Sequence, residues 1–321
     1  MKHYKERVRL INTLIEKHIL NPIQNSHLRE IVEYSLIDGK RLRSILALII
    51  GENTDSHKNI EKLVVCVELL HNASLIIDDM PCMDNDIYRR GKETVHYKYG
   101  QQKAQMLVNY FIKKAFQLLN ENYHEIYNYI KENAEENQRE TSHNKNKQLT
   151  DYSKTFLELN DNIIGNLGFM GAASGQFIDT CPMNKLLNED SYKQYYSSID
   201  DILNLLHLKT TTFFEIGFIP AYLICNGNKE NIPKLKEAVK YFGLAFQISD
   251  DFEDIEQDKN RLLGNYNPNL ICKYGKKESM KIYKQSITKF NCLMNELNIT
   301  HVIIGEIINF LNNRVNTLIP P

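Results

Sequence analysis

Apolar residues recur at three- and four-residue spacing along most of this chain, the period of a helix with one buried face. The pattern covers Val8–Leu20, Leu28–Ile37, Leu42–Ile50 and Ile60–Ile77. It resumes over Met106–Leu119, Phe156–Phe177, Leu203–Ile224, Leu235–Ile255, Met280–Leu297 and Val302–Leu318. No segment alternates as a strand would, and no Asn-Gly turn separates β-branched runs. The expectation is an all-α bundle of about ten helices in one domain spanning residues 1–321. Residues 131–154 break the pattern. KENAEENQRETSHNKNKQLTDYSK is polar and poor in bulky apolar side chains, so it predicts a flexible loop within that domain.

Composition narrows the picture. Of 321 residues 42% are hydrophobic, enough for a sizeable core, and only eight prolines and fourteen glycines interrupt the helical pattern. Basic and acidic residues balance at 39 and 40, so no overall charge draws the chain to nucleic acid, and any charged ligand must meet local clusters. The six cysteines are scattered without zinc-like spacing, as in a reduced intracellular protein. The first twenty residues are charged and lack a secretory apolar core, and no apolar run approaches the ~20 residues of a membrane span. The expected location is cytoplasmic.

Two acidic clusters carry the chemistry. One is Asp78-Asp79-Met-Pro-Cys-Met-Asp84-Asn-Asp86, after the apolar run VCVELLHNASLII; the other is Asp250-Asp251-Phe-Glu253-Asp254, after FGLAFQIS. Asp250 and Asp254 are one helical turn apart on one face. Asp78 and Asp84 are six apart, and Pro81 can end or bend the helix so that Asp84 returns toward Asp78. A lone cluster of this kind is usually a solvated helix end. Two in similar apolar settings point to hard divalent cations, and Mg²⁺ that keeps waters and bridges to diphosphate fits best. Neither has the ligand spacing of an EF-hand.

Cations supply the complement. Asp38-Gly-Lys40-Arg41-Leu-Arg43 gathers three around a helix start, Arg89-Arg90-Gly91 follows the first acidic cluster, and Lys209-Thr210 opens the helix TTTFFEIGFIPAYLI. Singly these are surface charges. Together with the acids they suggest a site for two diphosphates, one bound through metal and one by Arg and Lys directly.

The ordered set GKRLR, DDMPCMDND with RRG, GFMGAASGQFIDT, HLKTTTFF and FQISDDFEDIEQD resembles the trans-prenyl diphosphate synthases. It is most similar to geranylgeranyl diphosphate synthases of bacterial and plant type, over about residues 31–258. The resemblance implies the isoprenoid synthase fold, helices around a central cavity. It implies condensation of isopentenyl diphosphate with allylic diphosphates, and a homodimer without nucleic-acid partners. It also implies three Mg²⁺ per site, with Mn²⁺ a substitute. On this likeness Asp78, Asp84, Asp250 and Asp254 are the metal ligands, supported by Asp79 and Asp251. Arg89, Lys209, Thr210 and Gln247 match contacts to the allylic diphosphate, and Lys40, Arg43, His71 and Arg90 match those to isopentenyl diphosphate. Gln176 and Asp179 match the motif lining the reacting end. Ala73 and Ser74 stand where an aromatic side chain stops farnesyl-specific relatives, so their small size implies a C20 product, with Phe169 or Met170 as a deeper floor.

The sequence also departs from the family pattern. Ile77 replaces the usual His before the first cluster, Val108-Asn109 replaces a Gly-Asp, and the stretch after the second cluster is short, leaving Lys259 and Arg261 as candidate closing cations. A class I terpene cyclase shares DDxxD but not GKRLR, and a non-catalytic subunit of a heteromeric synthase would carry eroded motifs. Both aspartate motifs here are intact.

Overall fold

A computed structural model of the chain describes residues 1–54, 59–136, 142–183, 188, 190, 192–256 and 267–317. Among them are thirteen α-helices: α1 Lys2–Ile15, α2 Ser26–Leu36, α3 Leu42–Glu52, α4 Glu61–Asp79, α5 Val95–Tyr99, α6 Gln101–Glu136 and α7 Ser142–Leu167. The series continues with α8 Ala172–Thr180, α9 Ile199–Leu206, α10 Thr212–Ile224, α11 Ile232–Glu253, α12 Leu270–Glu296 and α13 Val302–Thr317. The described residues are almost entirely helical, as the periodicity predicts. No helix among them is long and apolar enough to cross a membrane.

The predicted loop over 131–154 is corrected where the chain is described; residues 137–141 of it lie outside the described residues. Residues 131–136 complete α6 and residues 142–154 open α7. These two stretches are polar but contain no proline or glycine, so their composition does not break a helix. The run Phe156–Phe177, in contrast, is two helices, because the chain turns between Leu167 and Ala172 with Gly168 and Gly171 in the turn. A short hairpin also escapes the periodicity. Tyr88–Arg89 pairs antiparallel with Lys92–Glu93 across Arg90-Gly91, both at positive φ (52° and 74°), the signature of a two-residue hairpin turn.

The chain divides into two compact units. One comprises Lys5–Leu159 with Pro220–Asn226. In it α4 packs along α6 and against α3, and Ile45, Leu46, Ile49, Leu63 and Val67 are fully buried. The other comprises Met1–Tyr4, Asn160–Ile219 and Gly227–Pro321. Here α11 packs along α12, around an aromatic core in which Phe242 meets Phe214 at 5.0 Å and Phe290 at 5.1 Å between ring centres. Burying each such ring contributes about 1.5–3 kcal/mol.

Candidate active site

In the first unit, α4 is an apolar helix that must end where its carboxylates begin. It stops at Asp79, and Met80, constrained by the following Pro81, is extended (ψ 152°). The turn then folds back. The Asp84 N–H donates to the Asp78 carbonyl at 2.9 Å, and the Met83 and Asn85 N–H groups donate to the Met80 carbonyl. The expected return of Asp84 toward Asp78 is thus made by the backbone, and the helix ends two residues before the proline.

Asp78 and Asp79 differ although adjacent. Asp78 is half-buried, whereas Asp79 is only 5% exposed and accepts from Arg89 Nε at 2.6 Å. Burial raises the Asp79 pKa to about 6, with the Arg89 charge opposing the rise. The hairpin aims Arg89 inward at Asp79 and leaves Arg90 exposed, where Nη1 donates to the Asp38 carbonyl at 3.3 Å. A pocket beside these groups is lined by Asp38, Asn72, Asp79, Arg89, Arg90 and Lys92.

The basic segment before α3 separates into two functions. Arg41 is in the left-handed region (φ 55°) and buried, so it does not join Lys40 and Arg43 as a third cation for a ligand. Its Nη1 donates to Glu68 Oε1 at 2.7 Å and its Nε to Asn12 Oδ1 at 2.9 Å. Glu68 also accepts from Ser44 Oγ and Asn72 Nδ2. A methyl group on Gly39 would fall 2.2 Å from Arg41 Nη1, so a side chain there would require the buried guanidinium to shift. Arg43 Nη1 lies 3.2 Å from His71 Nε2. Burial and then the charges of Arg43, Arg90, Arg89 and Arg41 hold the His71 pKa well below 6.5, leaving a neutral imidazole in a strongly positive neighbourhood. Such an arrangement suits an anion.

In the second unit the Lys209-Thr210 pair lies in a π-helical segment, His207–Thr211, between α9 and α10. Glycines let two helices close on it. A methyl group on Gly175 of α8 would lie 2.6 Å from the Lys209 nitrogen, and one on Gly243 of α11 would lie 2.4 Å from Thr211 Oγ1. Such π segments inside helices commonly mark functional sites. Lys209 pairs with Asp179, Thr210 donates to Gln247 Oε1 at 2.6 Å, and Gln247 donates to Asp251 Oδ1 at 3.0 Å. Gln176, one position after Gly175 in α8, is half-buried.

Asp250 and Asp251 divide as Asp78 and Asp79 do. Asp251 is 4% exposed and accepts from the Leu270 N–H at 2.9 Å, pinning the start of α12. Asp250 is half-buried and accepts from Arg314 of α13, which also pairs with Glu253. Asp254 caps α11, its N–H donating to the Asp250 carbonyl at 3.0 Å.

Glu68 and Arg314 were not singled out from the sequence. Glu68 had a signal, a charge inside the apolar run VCVELL, where only a buried partner makes it tolerable. Arg314 had none, since 64 residues separate it from Asp250. Phe169 and Met170 are 83% and 85% exposed and line no floor within this chain. Ala73 is buried in α4, and Ser74 Oγ donates to the His71 carbonyl at 2.8 Å. Lys259 and Arg261 lie outside the described residues.

The donors fit a hard cation. Asp78, Asp84, Asp250 and Asp254 offer carboxylate oxygens at or just beyond the ends of α4 and α11, and none is fully buried. Among the described residues no three His, Cys, Asp or Glu side chains gather into a group that could hold a metal ion by themselves.

Residues 25–265 match the family model described as polyprenyl synthetase. The chain is 29% identical over 312 residues to a trans-prenyltransferase of African swine fever virus, covering 95% of this chain and 82% of that one. It is 28% identical to a farnesyl diphosphate synthase of Buchnera aphidicola, covering 87% and 86%. It is 30% identical to a geranylgeranyl diphosphate synthase of Pantoea ananas, covering 69% and 63%. A Helicobacter pylori geranyltransferase solved with magnesium and isoprenyl diphosphate shares the fold at a TM-score of 0.66, with 21% identity and coverage of 98% and 94%.

Proposed function

The chain belongs to the polyprenyl synthetase family, the trans-prenyl diphosphate synthases, and from that premise we propose that it elongates allylic diphosphates with isopentenyl diphosphate to geranylgeranyl diphosphate. The observation that carries the reading is the pairing of each outward aspartate, Asp78 and Asp250, with an inward neighbour built into the fold. Beside the first pair, the neutral His71 among arginines supplies an anion site.

In this proposal Asp78, Asp84, Asp250 and Asp254 hold the metal, which when bound neutralises charge on the departing diphosphate. Arg89, Lys209, Thr210 and Gln247 orient the allylic diphosphate. Lys40, Arg43, His71 and Arg90 fix isopentenyl diphosphate so that its double bond meets the allylic carbon as the C–O bond breaks. The proton lost on closing the new double bond passes to the departing diphosphate. Asp79 acts through Arg89, and Asp251 through Gln247 and the start of α12.

Ala73 and Ser74 support the C20 product, because neither offers a ring one helical turn from Asp78 to halt growth. The relatives named farnesyl and geranylgeranyl synthases leave that choice to experiment. Labelled isopentenyl diphosphate with C5, C10 and C15 primers should yield mainly C20. Ala73→Tyr or Ser74→Phe should shift the product to C15 with the first condensation kept. An unchanged C20 product from a folded variant would place the floor elsewhere. The exposed apolar Met106 and Ile112 of α6 support a homodimer, to be checked by sedimentation mass.

A further inference from the structure

We infer that Arg314 is a positioning residue whose pairing with Asp250 and Glu253 makes cation binding at Asp250 depend on the diphosphate. This rests on the reading of Asp250 as a metal ligand. Arg314 does not sit at a loose end. Leu311 and Val315, on the same helix, are buried, and Asn312 accepts from Tyr283 Oη at 2.8 Å, so α13 is fixed on both sides of it. Its side chain is 12% exposed, far less than an arginine on a free surface. From there the guanidinium donates to Asp250 Oδ1 and pairs with Glu253 through its other nitrogen.

A guanidinium keeps its charge at any physiological pH. A divalent cation arriving at Asp250 must displace a charge-assisted hydrogen bond or share the carboxylate with a second cation a few ångströms away. Either way Arg314 opposes the metal while no other negative charge is present. A diphosphate brings that charge, satisfies the metal, and offers the released guanidinium a phosphate oxygen. Metal and substrate then enter together, and the bare protein avoids loading the metal in a form without substrate. A bridge that served stability alone would leave metal affinity unchanged or, by orienting Asp250, improve it. The two roles predict opposite signs.

Mn²⁺ binding to the full chain, read by electron paramagnetic resonance of the free ion without diphosphate, separates them. Arg314→Gln should bind Mn²⁺ about tenfold more tightly than the unsubstituted protein, the lower end of what a forfeited charge-assisted bond is worth. Arg314→Lys should stay near the parent value. Arg314→Met, which keeps the aliphatic stem, should repeat the gain if the glutamine variant folds poorly. Unchanged or weaker binding in the neutral variants overturns the inference. Adding Asp250→Asn to Arg314→Gln should abolish the gain. If the gain survives, the tightened site is not Asp250 and the metal reading of that residue falls. If no gain appears but Asp250→Asn alone weakens binding, the reading of Asp250 stands and the role of Arg314 falls.

Discussion

The two aspartate clusters look alike in sequence, yet the protein builds them differently. In both, the first aspartate stands half-buried and the second is turned into the protein. Asp79 meets a charged partner, Arg89, carried by a two-residue hairpin eleven positions on from Asp78. Asp251 accepts from the Leu270 N–H and the Gln247 amide. The first inward carboxylate therefore positions a cation, whereas the second fastens a helix. The outward members also differ. Asp84 is drawn to Asp78 by the backbone, while Asp250 is held by a guanidinium from α13. Each Asp-Asp dipeptide thus leaves one carboxylate half-buried and builds the other into the fold.

The largest effect should come from the outward members. Asp78→Ala or Asp250→Ala should lower turnover more than about 100-fold, as for removal of a major electrostatic contact in a transition state, with the circular dichroism spectrum preserved. Near-normal rates in either variant would break the proposed division.

A second prediction sharpens the contrast between anion sites. Arg43, beside His71, is proposed to hold isopentenyl diphosphate, so Arg43→Ala should raise the KM for that substrate about tenfold or more, with little change for the allylic partner. A rise confined to the allylic KM would exchange the two assignments.

The smallest effect concerns His71. Its folded pKa lies well below 6.5, so just under that value the unfolded chain binds more protons than the folded one, and stability falls as pH drops. His18, His96 and His207 shift the same way and add to the loss. Lowering the pH from about 7.5 to about 5.5 should therefore reduce the Tm of the parent more than that of His71→Asn. Equal reductions would show that His71 accepts its proton freely.

Much of this organisation is legible from the chain alone. The 3.6-residue period locates most of the helices, and Pro81 announces the end of α4 to within two residues. Polar composition misleads over 131–136 and 142–154, because without proline or glycine nothing forbids a solvated helix in those stretches. The hairpin is too short to show alternation, and only Gly91 hints at it. The acidic and basic clusters themselves are read from spacing. What cannot be read is which member of a motif faces inward, since that depends on partners far along the chain, such as Leu270 for Asp251 and Arg314 for Asp250. Arg41 shows the same limit: three cations in a row appear equivalent until Glu68 claims one.

The most direct test compares neighbours. Single-turnover incorporation of labelled isopentenyl diphosphate, at saturating Mg²⁺, should be measured for Asp250→Asn and Asp251→Asn alongside thermal unfolding. The account predicts that Asp250→Asn loses more than about 100-fold in rate and keeps its Tm. Asp251→Asn should remain within about tenfold of the parent rate while losing about 1–3 kcal/mol of stability, the cost of an ill-satisfied buried group. A folded Asp251→Asn as slow as Asp250→Asn, with unchanged stability, would contradict it.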